Sequence, residues 1–366
     1  ILGVSNPDTF NGTATFRNSG SGTLFVAHVA SGTLFNENLI VSSTGSSKGV
    51  RFGQNGGSST LASGKTLSIG GSGFSAGSLR LRNFTQTGST AQTLNVTSGS
   101  AALYLETGST FNGSVSFTFP QLYLSGCTFQ STASLTKRGA TDNSGAGGCT
   151  FNSTATIVNS GSGRLNLGTA SPDIFNDNLV ITCSGSSMIQ LAHTAAATQF
   201  NGNIELNSTG SSAGIRFGQN GGTSSLASTK TITIGSGGFE TGDLTFNGFT
   251  QTGATAQSIT EMTYPAVLIL GTGSTFNGAV TFAAPRVLLN GATFNASASI
   301  TKNSSDQDLS DGGNTFNDVC TIINSGDGEM VLANLNPDVF NDDLEIENIS
   351  SDVINVAYGA TGTEFN

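Results

Sequence analysis

The sequence predicts an all-β chain wound as a parallel β-solenoid, a right-handed β-helix of about 15 coils with 22–25 residues each. Three observations carry that expectation. A block of 165 residues repeats without insertion, a degenerate unit recurs seven times inside it, and apolar residues within each unit alternate with polar ones.

The long repeat is read directly. Gly49-Val50-Arg51-Phe52-Gly53-Gln54-Asn55-Gly56-Gly57 returns as Gly214-Ile215-Arg216-Phe217-Gly218-Gln219-Asn220-Gly221-Gly222. The same offset links Pro7-Asp8-Thr9-Phe10-Asn11 to Pro172-Asp173-Ile174-Phe175-Asn176 and to Pro337-Asp338-Val339-Phe340-Asn341. One continuous solenoid over residues 1–366 is expected, with copies at about 10–174 and 175–339 and a partial third at 340–366.

Each short unit opens at an anchor. In the first block the anchors are Phe10, Phe35, Leu61, Phe84, Phe111, Phe129 and Phe151, at spacings of 25, 26, 23, 27, 18 and 22, with Phe175 following after 24. Phe200, Phe276, Phe294, Phe316 and Phe340 continue the series. One stack of phenylalanines is expected from these positions. Asn follows the anchor at Asn11, Asn36, Asn112, Asn152, Asn176, Asn201, Asn277, Asn295, Asn317 and Asn341, with Gln130 substituting once. Amides stacked at one corner can bond along the column, so a structural asparagine ladder is expected.

After the anchor, apolar residues fall at the fourth and sixth positions, as in Ala14/Phe16, Val115/Phe117, Ala155/Ile157 and Leu344/Ile346. Period two marks a strand with one buried face. A second alternating pair follows a Ser/Gly-rich corner, as in Leu24/Val26, Leu165/Leu167 and Met330/Leu332. One such coil cannot bury its own inner face. Stacking at about 4.8 Å pairs each strand with its counterpart and closes a continuous core, giving a rod of roughly 70–75 Å. The chain starts within a unit and stops at Phe365-Asn366 with no polar cap, so it is expected to be a window on a longer protein.

Composition removes several function classes. Charged residues are only 10%, and a formal net charge of −10 leaves no basic surface for nucleic acid. No run of 18 apolar residues exists, so no membrane insertion is expected. The 24 phenylalanines set the chain apart from a glycine-rich disordered linker, because they supply groups to bury.

Candidate chemistry is thin. Cys127 and Cys149 each precede an anchor by two residues in consecutive coils, which places them within disulfide range; two stacked free thiols are the alternative that the spacing favours. Cys320 takes an inward slot, and no zinc spacing exists. His28 and His193 are equivalent, and Tyr358 replaces them in the third copy, as a surface ring would allow and a catalytic base would not. Asp8, Asp173 and Asp338 follow Pro in a turn, where Asp is expected to bond its own backbone. No cofactor is expected. Calcium at Asp306-Gln307-Asp308-Leu309-Ser310-Asp311-Gly312-Gly313 is the remaining candidate, weakened by its ligand-poor counterpart Thr141–Gly148. Polysaccharide-processing β-helices need several carboxylates on one groove, and the outward positions here are mostly Ser, Thr and Asn, so no catalysis is expected. An ice-binding threonine face is a minor alternative, interrupted at Asn178/Val180 and Asn203/Glu205.

The Thr110-Phe111-Asn112-Gly113 type of unit, the large duplicated block and the Ser/Thr/Gly surface together resemble the giant repetitive surface proteins of gliding gram-negative bacteria exported by the type IX route. The resemblance covers the whole chain in style. It implies an extracellular filament or appendage on the bacterial cell surface, used in attachment, gliding or capture of other cells. Its partners would be further copies of itself and a cell-surface or glycan target. The competing expectation is a glycan-binding β-helix reading sugars through Tyr104, Tyr123 and His28.

Overall fold

The computed structural model describes residues 1–366, which contain strands and turns and no helix. The fold is a parallel β-solenoid built from stacked coils, most with three strands. The chain divides into two compact units, Ile1–Asp177 and Asn178–Asn366, where the sequence reads as one continuous solenoid. The division lies beside the block boundary expected at 174/175.

In the first unit, one coil runs Thr33–Phe35, Leu39–Ser43 and Gly49–Phe52, and its neighbours repeat the plan. The anchor strands pair in parallel register, Phe10 with Phe35, Phe111 with Phe129, Phe129 with Phe151 and Phe151 with Phe175. A second face joins Val115–Phe119, Ala133–Lys137 and Ala155–Asn159 residue for residue. The third joins Gly49–Phe52, Ser78–Leu81, Ala102–Leu105 and Gln121–Leu124. The second unit follows the same plan, with Phe276, Phe294, Phe316, Phe340 and Phe365 in successive register.

Alternation within each strand decides what is inside. Ala133, Leu135, Ala155 and Ile157 are buried while Ser134 and Thr156 stand outward. Leu344 and Ile346 differ. Ile346 is 38% exposed, because the Leu344–Asn348 strand pairs on one side only, with Cys320–Asn324.

Phenylalanine rings stack parallel along the anchor column, at 4.9 Å for Phe129 and Phe151, 4.7 Å for Phe151 and Phe175, and 4.8 Å for Phe316 and Phe340. Phe200 also meets Phe217 edge-on at 5.6 Å. One member of the expected stack is corrected. Phe84 pairs with Ser59, and Gln86 occupies the column slot between Leu61 and Phe111. Both residues point inward, since they are two apart, so alternation alone does not choose between them. The buried Gln86 amide donates to Gly88 O at 2.6 Å and Thr90 O at 2.7 Å and accepts from Gly113 N at 3.0 Å, so it leaves no unmet polar group. Gln251 fills the same slot in the second unit.

A second glutamine bridges a broken face. The three strands ending at Leu67–Phe74 stop pairing there, and the next run begins at Gln92–Asn95. Across the gap Gln92 Oε1 accepts from Leu67 N at 2.6 Å and its Nε2 donates to Lys65 O at 3.1 Å. Gln257 does the same for Ile232 N and Lys230 O.

The Ser/Gly corners have their own device. The last residue of the second-face strand reaches the carbonyl four residues on: Asn18 to Gly22, Asn159 to Gly163 and Asn324 to Gly328, each at 3.0 Å. Cys183 Sγ donates likewise to Ser187 O at 2.9 Å. The corner carbonyls, buried at Gly163 and Gly328, thereby gain a partner within the chain. Gly49 and Gly214 are required where a coil turns into its third face: both have φ near 100°, and a Cβ would overlap Ser78 O or Asp243 O.

Candidate functional site

The asparagine column lies at an exposed corner. Asn36 Nδ2 donates to Asn11 Oδ1 at 2.9 Å, Asn152 to Gln130 Oε1 at 2.7 Å and Asn176 to Asn152 at 2.8 Å. In the second unit Asn295 donates to Asn277 at 2.6 Å, and Asn317 to Asn295 and Asn341 to Asn317 at 2.7 Å. Where the preceding coil lacks the amide, the donor finds a backbone carbonyl: Asn112 bonds Thr87 O and Asn277 bonds Gln251 O. Each of these side chains thus commits one of its two amide N–H donors to the coil before it.

On the third face of the first unit, register aligns Phe25, Arg51, Arg80, Tyr104 and Tyr123 in one outward column. The Arg80 guanidinium lies 3.9 Å from the Tyr104 ring centroid, and its Nη1 is 2.7 Å from Glu106 Oε1. Tyr104 and Tyr123 stack at 4.3 Å with planes 7° apart. Both faces of Tyr104 are therefore covered, by Arg80 in one neighbouring coil and Tyr123 in the other. Burial, and then the charge of Arg80, lowers the affinity of Arg51 for its proton; burial, and then Tyr104, pushes the Tyr123 phenol up. His28 stands outside this column, 4.7 Å from the Phe25 ring and bonded to Asn55 at 3.1 Å. A sugar-binding aromatic needs an open face, and the three rings expected to supply one are not joined into a platform.

The recurring Asp residues are also placed differently from expectation. Asp173 is 3% exposed, and its Oδ1 accepts from Cys149 N at 2.9 Å in the preceding coil. It caps the backbone of a neighbouring coil. Gly147 and Gly148, both with φ near 80°, turn that preceding segment so that its amides face the carboxylate. Burial pushes the Asp173 carboxyl up to about 7 against the opposing pull of the Cys149 and Gly148 amides. Burial also raises Asp338, whose amide partners are Asn314 and Gly313.

Behind this carboxylate the two units diverge. In the second, Asn314 Oδ1 accepts from Gly291 N at 3.0 Å and Ala292 N at 2.9 Å. In the first, Cys149 and Cys127 stand at the Asn314 and Ala292 positions, Cα atoms 4.6 Å apart, and form a disulfide. Of the two alternatives left by their spacing, the structure carries the bond. Cys320 is buried, and burial followed by the charge of Asp338 pushes its thiol up to about 12, far from a reactive thiolate.

One carboxylate of the calcium candidate loop is engaged within the protein. Asp308 is fully buried, accepting from Arg286 Nε at 2.9 Å and Val287 N at 2.7 Å. No group of three or more His, Cys, Asp or Glu side chains converges as a metal site.

One groove escaped the sequence reading. Met262, Thr263, Tyr264, Pro285, Asn303, Ser304 and Ser305 line an open groove of about 400 Å³ at a corner of the second unit. The available signal was a block-to-block difference, since Gly99 stands where the second block has Tyr264. No family model matches the chain, and no curated protein and no solved structure matches it either.

Proposed function

We propose that this chain is a structural and adhesive segment of an extracellular filament or appendage on a bacterial cell surface, without catalysis and without a resident cofactor. The observation that supports it is the amide row. Asn277, Asn295, Asn317 and Asn341 bond head to tail in consecutive coils above a parallel phenylalanine stack. Columns of identical groups bonded in register resist bending and slippage between coils, which is what a mechanical element needs. The buried Asp173 and Asp338 carboxylates likewise bond a neighbouring coil. Attachment would be to further copies of the chain and to a cell-surface or glycan target.

Cryo-electron microscopy of native surface material tests the reading. Fibres with an axial repeat of seven coils, about 33 Å at the strand spacing, support it. Compact separate particles on the same cells would overturn it.

A further inference from the structure

We propose that the groove at Tyr264 is a binding site for a neutral pyranose sugar, one or two rings long. The inference goes beyond the filament reading and stands whether or not the chain forms a filament.

The groove has the composition that sugar binding requires. Its floor is apolar and fixed: Met262 is 4% exposed and Pro285 is buried. One wall is Tyr264, 62% exposed, with no other ring or guanidinium stacked on it. A pyranose presents a patch of C–H groups on one face, and an open aromatic ring with a polar tip is suited to cover it. Tyr104 lacks this property, since Arg80 and Tyr123 occupy its faces.

The rim supplies directional polar groups. The Asn303 amide and the Thr263 and Ser305 hydroxyls are exposed and make no hydrogen bond within the chain. An amide offers donors and acceptors together, and hydroxyls either, which matches the mixed demands of sugar hydroxyls. None of the seven lining residues carries a charge, so the ligand class is neutral. The groove is open to solvent, and its volume of about 400 Å³ lies at the small end of ligand sites and suits one or two rings.

Comparison of the two blocks gives a second, independent observation. The positions of Tyr264, Asn303, Ser304 and Ser305 carry Gly99, Arg138, Gly139 and Ala140 in the first block. Two neighbouring positions are unchanged: Pro285 matches Pro120, and Lys302 matches Lys137. The floor differs too, since Met262 and Thr263 stand where the first block has Thr97 and Ser98, so six of the seven lining residues diverge and Pro285 alone is kept. The aromatic ring, the neutral amide and two hydroxyls all arise at one place.

The test is an array of neutral oligosaccharides built from hexoses, N-acetylhexosamines and deoxyhexoses, probed with the whole chain. The strongest ligand is then titrated by calorimetry. Tyr264→Ala is expected to weaken binding at least tenfold and Asn303→Ala several-fold. Tyr264→Phe, which keeps the ring face, and Tyr104→Ala should stay within a few-fold of the parent. Thermal melting of each variant checks folding, and Tyr264→Gly, which restores the first block's residue, is the substitute if Tyr264→Ala melts early. Absence of binding to any neutral oligosaccharide would overturn the proposal. So would binding that survives loss of the Tyr264 ring, or an array on which only charged sugars are retained.

Discussion

Asp338 Oδ1 accepts hydrogen bonds from both the backbone N and the side-chain Nδ2 of Asn314, each at 2.8 Å. One oxygen thus fixes both the path of the preceding coil and the orientation of an amide that in turn clamps Gly291 and Ala292. Each coil at this corner is tied to the next by a side chain, in addition to its strand pairing. The first unit keeps the carboxylate, as Asp173, and replaces the amide clamp with the Cys127–Cys149 disulfide.

The buried carboxyls give the fold a definite pH dependence. Asp173 titrates near 7 in the folded chain against an ordinary 3.8. Between those values the folded state holds a proton that the unfolded state has released, so stability falls as pH rises from about 4 to about 7 and levels off above. The full effect is on the order of 4 kcal/mol at one pKa unit per 1.36 kcal/mol. Asp308 and Asp338, both raised, add slope of the same sign. Urea midpoints at pH 4.5 and 7.5 should differ in that direction, and Asp173→Asn, which keeps an oxygen for Cys149 N, should flatten the difference. A midpoint that rises with pH would contradict the assignment.

The disulfide and the amide clamp do the same work at equivalent positions. Closing a 22-residue separation contributes about 3 kcal/mol in the chain-entropy account. Cys127→Ala alone should therefore lower unfolding stability by about that amount, as should a reductant. The double change Cys127→Ala with Cys149→Asn, which copies Ala292 and Asn314, should recover most of the loss. Failure of the double variant to exceed the single one in denaturant melts would show that the two corners are not interchangeable.

The two columns should differ sharply in what they contribute. Phe151 is buried between rings at 4.9 and 4.7 Å, so Phe151→Ala should cost about 3–5 kcal/mol. Asn152 lies exposed beside it and makes amide bonds to Gln130 and Asn176; Asn152→Ala should cost about 0.5–1.5 kcal/mol. Chemical denaturation of the two variants separates these ranges. An equal loss would mean that the amide row carries more of the stacking energy than its exposure allows.

Gln86 and Phe84 show where the sequence stopped being sufficient. Both are inward by alternation, and Phe84 resembles the other anchors, yet pairing with Leu61 and Phe111 selects Gln86. Tyr104 teaches the same lesson at the surface. Its outward position is legible, but Arg80 and Tyr123 close its faces from coils 24 residues before and 19 after.

The sequence by itself determined the solenoid, its coils, the inward face of nearly every strand and the rows of Phe and Asn, because these follow from repeats and from a local period of two. Tertiary structure alone decided the neighbours: which coil's amides the Asp173 carboxylate caps, that Cys127 meets Cys149, and that Tyr264 closes a groove with Asn303 and Ser305. The reason is geometric. Contacts between coils depend on corners of unequal length, and a shift of two residues in a corner exchanges one inward side chain for another without altering the pattern along the strand.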